Sequence, residues 1–150
     1  MNTEVMFSSD KMDWETPQDF FDKLNAEFNF TTDVCATPEN AKCSYFFTEK
    51  EDGLKMKWAG KCWCNPPYGK EIGKWVQKAY EEVNRGVPLV VMLIPARTDT
   101  KYWHEYVMRA QQIRLVKGRL KFVGAKSSAP FPSAVVIFSQ HEYCQKVVSL

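Results

Sequence analysis

The run Val87 to Ile94 constrains this chain more than any other segment, because near-continuous apolar and β-branched residues suit a strand covered on both faces. Such a strand needs helices packed above and below its sheet. The residues before it supply one: Ile72, Trp75, Val76, Ala79, Tyr80 and Val83 recur at helical spacing between Glu71 and Asn84, with charges opposite. A helix feeding a fully covered strand is the ordinary connection between parallel strands, so a parallel sheet is expected.

The other segments extend this pattern. Thr16 as N-cap, Pro17 at the first helical position and Asp19 in the first turn open a helix with Phe20, Phe21 and Leu24 on one face, ending near Glu27. Phe28 to Val34 alternates as a strand does and carries Asp33 at its C-terminal edge; a loop from Cys35 to Asn40 follows. Tyr45 to Phe47 reads as a short strand, Glu51 to Gly60 as turns, and Lys61 to Cys64 as a short buried strand. After Pro95, Thr98 to Ala110 reads as a helix with Tyr102, Trp103, Tyr106, Val107 and Ala110 inward, and Gln112 to Val116 as a strand. Leu120 to Val123 and Ala134 to Ser139 flank the loop Gly124 to Ser133 and suggest an antiparallel ending. Alternating strands and helices call for a doubly wound α/β domain that binds ligands at the C-terminal edge of its sheet, and Asp33, Asn65 and Arg97 all fall just beyond strand ends. One domain over residues 13–150 is expected, with a flexible segment over residues 1–12 before it.

Composition narrows the function classes. No apolar run reaches the ~18 residues of a membrane span, and Met1 to Lys11 lacks the basic and apolar blocks of a signal peptide. The expectation is a soluble cytoplasmic protein. Five cysteines without framework spacing argue against disulfides, and no paired Cys or His knuckles suggest a metal. Cys62 and Cys64 share one side of a strand and are expected to be buried thiols; His104 and His141 are expected on the surface. Residues 1–60 carry 6 Lys/Arg against 12 Asp/Glu, and residues 61–150 carry 14 against 6. From Gln111 to Ser133, Arg114, Lys117, Arg119, Lys121 and Lys126 occur without an acid. That stretch suits a phosphate backbone, and equally a solvated basic loop.

The chemistry concentrates in Asn65, Pro66, Pro67 and Tyr68, directly after the Lys61 to Cys64 strand. Asn65 offers a carboxamide oxygen, the prolines hold a carbonyl rigidly, and Tyr68 supplies an aromatic face. An exocyclic amine on a nucleobase is a weak nucleophile. Acceptance of its hydrogens by Asn65 and by the Pro66 carbonyl would stabilise charge developing on nitrogen. Tyr68 would stack on a base taken out of its duplex. A proline-rich turn that merely ends the strand is the plain alternative.

The ordered set Thr16-Pro17, Asp33 to Asn40, Asp52-Gly53-Leu54, Asn65 to Tyr68, Pro95-Ala96-Arg97 and Gly118-Arg119 resembles the phage-type DNA adenine methyltransferase family, from about Trp14 to Ser139. The resemblance implies a Rossmann-like, S-adenosylmethionine-dependent methyltransferase acting on the 6-amino group of adenine in DNA, with a mostly parallel sheet and no metal. It makes Asn65, Pro66 and Tyr68 catalytic and base-binding. It gives Thr16, Pro17, Asp33, Ala36, Asn40 and Asp52 to the cofactor, although Thr16 also suits a helix cap and Asp33 and Asp52 suit turns. The loop from Val34 to Asn40 has no glycine, and Ala36 and Thr37 are its small residues. Pro67, Arg97, Asp99, Arg119 and Lys121 are the candidates for substrate contact; Arg97 and Asp99 also suit an ion pair with an N-cap. Other readings are an amino-methyltransferase acting on RNA or protein glutamine, and a non-catalytic DNA-binding protein with the same shell. A monomer or homodimer is expected, in the host cytoplasm if phage-encoded.

Overall fold

The computed structural model describes residues 13–150, so the flexible segment expected over residues 1–12 lies outside the described residues. Helix α1 (Gln18–Phe28) leads into β1 (Thr32–Asp33), β2 (Tyr45–Phe46) and β3 (Lys61–Cys64). Helix α2 (Ile72–Arg85) precedes β4 (Leu89–Pro95), and a short helix α3 (Lys101–Glu105) runs into one 3-10 turn (Val107–Arg109). Strands β5 (Gln112–Leu115), β6 (Ser133–Ser139) and β7 (Val147–Ser149) complete a seven-stranded sheet of order β2-β1-β3-β4-β6-β5-β7. All pairings among β2, β1, β3 and β4 are parallel, as is β5 with β7; β6 runs antiparallel to both of its neighbours.

β4 is the spine. Each of its seven residues is buried, and so is each of the seven in β6, its partner from Leu89↔Ser139 to Pro95↔Ser133. Helix α2 lays Trp75, Val76, Ala79 and Val83 into the core. On its same side Glu82, buried, accepts from the Trp58 backbone N–H at 3.1 Å and pairs with Lys78 and Arg85. The Trp58 indole N–H donates to the Gly53 carbonyl at 2.8 Å. Turns 52–58 are thereby pinned against α2. Gly53 is required there, since an added Cβ would lie 2.2 Å from the Val34 carbonyl oxygen and 2.9 Å from the Trp75 ring.

Several expectations need correction. The strand expected from Phe28 is reduced to Thr32–Asp33, because α1 runs through Phe28 and ends on Asn29 in the left-handed conformation, whose N–H donates to the Asn25 carbonyl at 2.8 Å. Pro17, extended at φ −58° and ψ 136°, is the N-cap of α1; Thr16 does not cap it. The single helix expected from Thr98 to Ala110 breaks at Tyr106, where a run of aromatic and β-branched residues has little helical preference. No strand forms at Leu120 to Val123. Gly118 and Gly124 take positive φ on either side of it, and the Val123 N–H donates to the Glu15 carbonyl at 3.0 Å instead of joining the sheet. Strand β7, a three-residue edge strand exposed at Val147 and Ser149 and half-buried at Val148, has no counterpart among the expected elements.

Arg114 also leaves the expected basic face. It makes a two-pronged pair with Glu27 at 2.7 Å on each side, tying β5 to α1 and holding Glu27 below the usual carboxylate range. Among the described residues, no helix is long and apolar enough to cross a membrane.

Candidate active site

Parallel strands that end together leave a cleft beyond their C-terminal edge, and this one has a volume of about 1020 Å³. Its walls come from residues 13–16, the ends of β1 and β3, the turn around Asp52 and the start of α2. Of the residues singled out in the sequence, Thr16, Asp33, Ala36, Asn40, Asp52, Asn65, Pro66 and Pro67 meet in this one space. Pro17, Tyr68, Arg97, Asp99, Arg119 and Lys121 do not line it.

Asn65 has the most telling geometry. Its side-chain Nδ2 donates to the Trp14 carbonyl at 2.5 Å and to Thr16 Oγ1 at 2.9 Å. A carbonyl oxygen can only accept, so the NH2 must face Trp14 and the amide orientation is determined. Oδ1 is consequently turned the other way, buried and without a hydrogen-bond partner. Buried polar atoms are ordinarily satisfied, so an acceptor left unsatisfied beside a cleft stands out among the groups that line it.

Asp33 lies at the end of β1 and is buried. Burial pushes its carboxyl up to about 6, against the lowering effect of the Lys42 and Cys35 backbone N–H groups that donate to it at 2.9 and 3.2 Å. Asp52 adopts φ 59° and accepts from the Leu54 N–H at 3.1 Å, an Asx turn that presents its carboxylate at the cleft. Asn40 closes the preceding loop by accepting from the Thr37 N–H at 2.7 Å. Burial raises the thiols of Cys35 and Cys62 to about 12 and that of Cys64 well above the ordinary value, so these sulfurs stay protonated. Among the described residues no group of three or more His, Cys, Asp or Glu side chains converges on a metal position; His104 and His141 are exposed.

Tyr68 is packed rather than presented. Its hydroxyl donates to the Leu93 carbonyl at 2.8 Å, and its ring meets Phe122 and Phe131 edge-on at 6.2 and 5.6 Å. Trp14 completes the cluster at 5.4 Å from Phe122 and 5.1 Å from Phe131. The segment 117–132 that carries these phenylalanines exposes Lys117, Arg119, Lys121 and Lys126 outward. Arg119 donates at 3.4 Å to the Ala129 carbonyl of its own segment, and the exposed Arg97 sits 6.0 Å above the Phe131 ring. Asp99 is exposed.

Sequence reasoning missed Trp14, Lys42, Lys74 and Trp75 as cleft residues. The helical spacing of Trp75 assigns it to the core, and it is buried there while one part of it also lines the cleft. Trp14 and Lys42 carry no local signal, because their positions depend on contacts with segments far along the chain.

A family model described as DNA N-6-adenine-methyltransferase (Dam) matches residues 4–149. The chain is 33% identical over 119 residues to the DNA N-6-adenine-methyltransferase of Haemophilus phage HP1 (strain HP1c1), a match covering 77% of this chain and 68% of that protein. It is 32% identical over 63 residues to YfdM of Escherichia coli (strain K12), named as a candidate methyltransferase, covering 37% of this chain and 69% of that one.

Proposed function

The chain belongs to the DNA N-6-adenine-methyltransferase family and is an adenine-specific DNA methyltransferase; from that premise we propose that S-adenosylmethionine binds in the cleft and that the target adenine is flipped out of DNA to meet Asn65. The observation that carries this reading is Asn65 Oδ1, a buried acceptor without a partner whose orientation is imposed by Trp14 and Thr16. The mostly parallel sheet with its cleft at the C-terminal edge supports the Rossmann-like assignment. The cofactor supplies an electrophilic methyl group on a sulfonium sulfur.

The chain does the rest. Asn65 Oδ1 and the Pro66 carbonyl accept the two hydrogens of the adenine amine, which draws electron density toward nitrogen and fixes its direction of attack. Pro66 and Pro67 keep that carbonyl from reorienting. Asp33 accepts ribose hydroxyls, Asp52 contacts the adenosine portion, and Ala36 and Asn40 shape the loop beside it. Thr16 borders the end of the cleft nearest Asn65, with Pro17 behind it, where the methionine end would lie. The cleft volume and its two turn-held carboxylates fit a nucleoside-sized guest. Action in the cytoplasm, the host's for a phage-encoded copy, accords with a DNA substrate.

Tyr68 stacks on the flipped base in this reading, and to do so it must exchange Phe122 and Phe131 for that base. The segment 117–132 therefore moves outward as DNA binds, led by the attraction of Arg119 and Lys121 for phosphate. Arg97 and Asp99 flank the same opening.

Asn65→Ala is expected to reduce turnover by ~100-fold or more while cofactor affinity stays intact, as for loss of one preoriented transition-state group; wild-type turnover in single-turnover assays would overturn the role of Asn65. Phe122→Ala should lower folding stability by about 3 kcal/mol in urea unfolding. It should nevertheless bind DNA at least as tightly as wild type, because the open state becomes more populated; weakened binding would make Phe122 part of the DNA surface instead. Replacing both Arg119 and Lys121 by Ala should reduce the slope of log K against log salt by about 2, given ~0.9 per phosphate contact. An unchanged slope would relocate the DNA surface.

Asp33 adds a pH signature. Its folded value of about 6 lies above its ordinary one of 3.8, so its contribution to folding is fully present below pH 3.8 and is lost as pH rises through about 6. Ribose binding has the opposite sign, since the ionised carboxylate is the better acceptor. Titration with S-adenosylhomocysteine should show affinity weakening below pH 6 by up to about tenfold per unit, and Asp33→Asn should flatten the profile. Wild-type affinity independent of pH between 5 and 7.5 would remove Asp33 from the ribose site.

A further inference from the structure

We infer that Thr16 is a positioning residue for methyl transfer: its hydroxyl oxygen, with the Trp14 carbonyl, fixes the Asn65 amide so that Oδ1 rather than Nδ2 meets the adenine amine. The inference rests on the reading of Asn65 Oδ1 as the acceptor and assigns Thr16 a task distinct from touching the cofactor.

An asparagine amide has two faces of similar shape and opposite chemistry. Presented with Nδ2 toward the substrate, it would oppose two sets of N–H donors and hinder the reaction. The choice is made by what lies behind the side chain. Trp14 O and Thr16 Oγ1 take the two Nδ2 hydrogens at 2.5 and 2.9 Å, and two acceptors fix both the identity of the inner atom and the plane of the amide. Trp14 alone would still disfavour a flip but would allow the amide to swing about one hydrogen bond.

Thr16 is well suited to this work. It is 2% exposed, and it follows a strap that is itself anchored, because the Glu15 carbonyl accepts from the Val123 N–H at 3.0 Å and the Trp14 ring lies against Phe122 and Phe131. Its hydroxyl is not engaged in capping α1, whose N-cap is Pro17 without a side-chain cap bond. A residue that the sequence marks as a helix cap is thus released for a contact 49 positions away.

The test is a double-mutant cycle on the full chain, with kcat and KM for DNA, binding of S-adenosylhomocysteine, and a thermal melt on each variant. Thr16→Val keeps the shape and removes the acceptor. It should lower kcat by about tenfold, as a loosened reacting geometry does, with KM and cofactor affinity near wild type. Thr16→Ser should restore kcat. In an Asn65→Ala background, Thr16→Val should cost nothing further, because the two side chains act as one unit. If Thr16→Val does not fold, Thr16→Ala enters the same cycle with the same expectations. Wild-type kcat in the valine or alanine variant, a loss of cofactor affinity in step with rate, failure of serine to restore the rate, or a full additional loss on Asn65→Ala would each overturn the inference. Wild-type turnover in Asn65→Ala alone is a separate result, which removes the role of Asn65 whatever Thr16 does.

Discussion

Burial of β4 on both faces is the constraint from which the remaining architecture follows. Seven consecutive residues with almost no access to water require a strand on each side and helices above and below. Parallel β3, itself paired with parallel β1, satisfies one side and reversed β6 the other. Because β1, β3 and β4 run in the same direction, their C-terminal ends arrive together. Asp33, Asn65 and Arg97 are brought to one edge by that geometry.

At this edge a second level of organisation operates through segments that are not regular structure. The strap 14–16 supplies two acceptors to Asn65, the turn at Asp52 closes against α2 through Trp58 and Glu82, and the 117–132 segment lays two phenylalanines over Tyr68. These pieces are coupled: Trp14 contacts the phenylalanines, and its own carbonyl orients the Asn65 amide. The exposed cations of the 117–132 segment are therefore separated from Asn65 by a short chain of direct contacts.

Much of this was legible beforehand where the signal is local and periodic. Helix α2 and strand β4 follow from spacing and burial alone, and the Asn65 to Tyr68 turn after β3 is marked by its prolines. Legibility failed where a residue could satisfy its groups in more than one way. Thr16 has the chemistry of a cap, yet a donor from β3's end claims its oxygen. Leu120 to Val123 has the pattern of a strand, yet its Val123 N–H finds Glu15 and its Phe122 finds Trp14. Arg114 looks like part of a phosphate-binding stretch until Glu27, 87 residues away, neutralises it.

The amino-acid sequence by itself determined helix α2, strand β4 and the proline-marked turn after β3, and it placed Asp33 and Asn65 at or just beyond strand ends, because propensity, periodicity and proline geometry act over a few neighbouring residues. Only the tertiary structure decided which way the Asn65 amide points, that Asp33 is desolvated enough to titrate near 6, and that Tyr68 lies under an aromatic cover. Each of these depends on hydrogen bonds, burial or ring contacts between segments distant in the chain. Such relations exist only once the backbone has closed on itself.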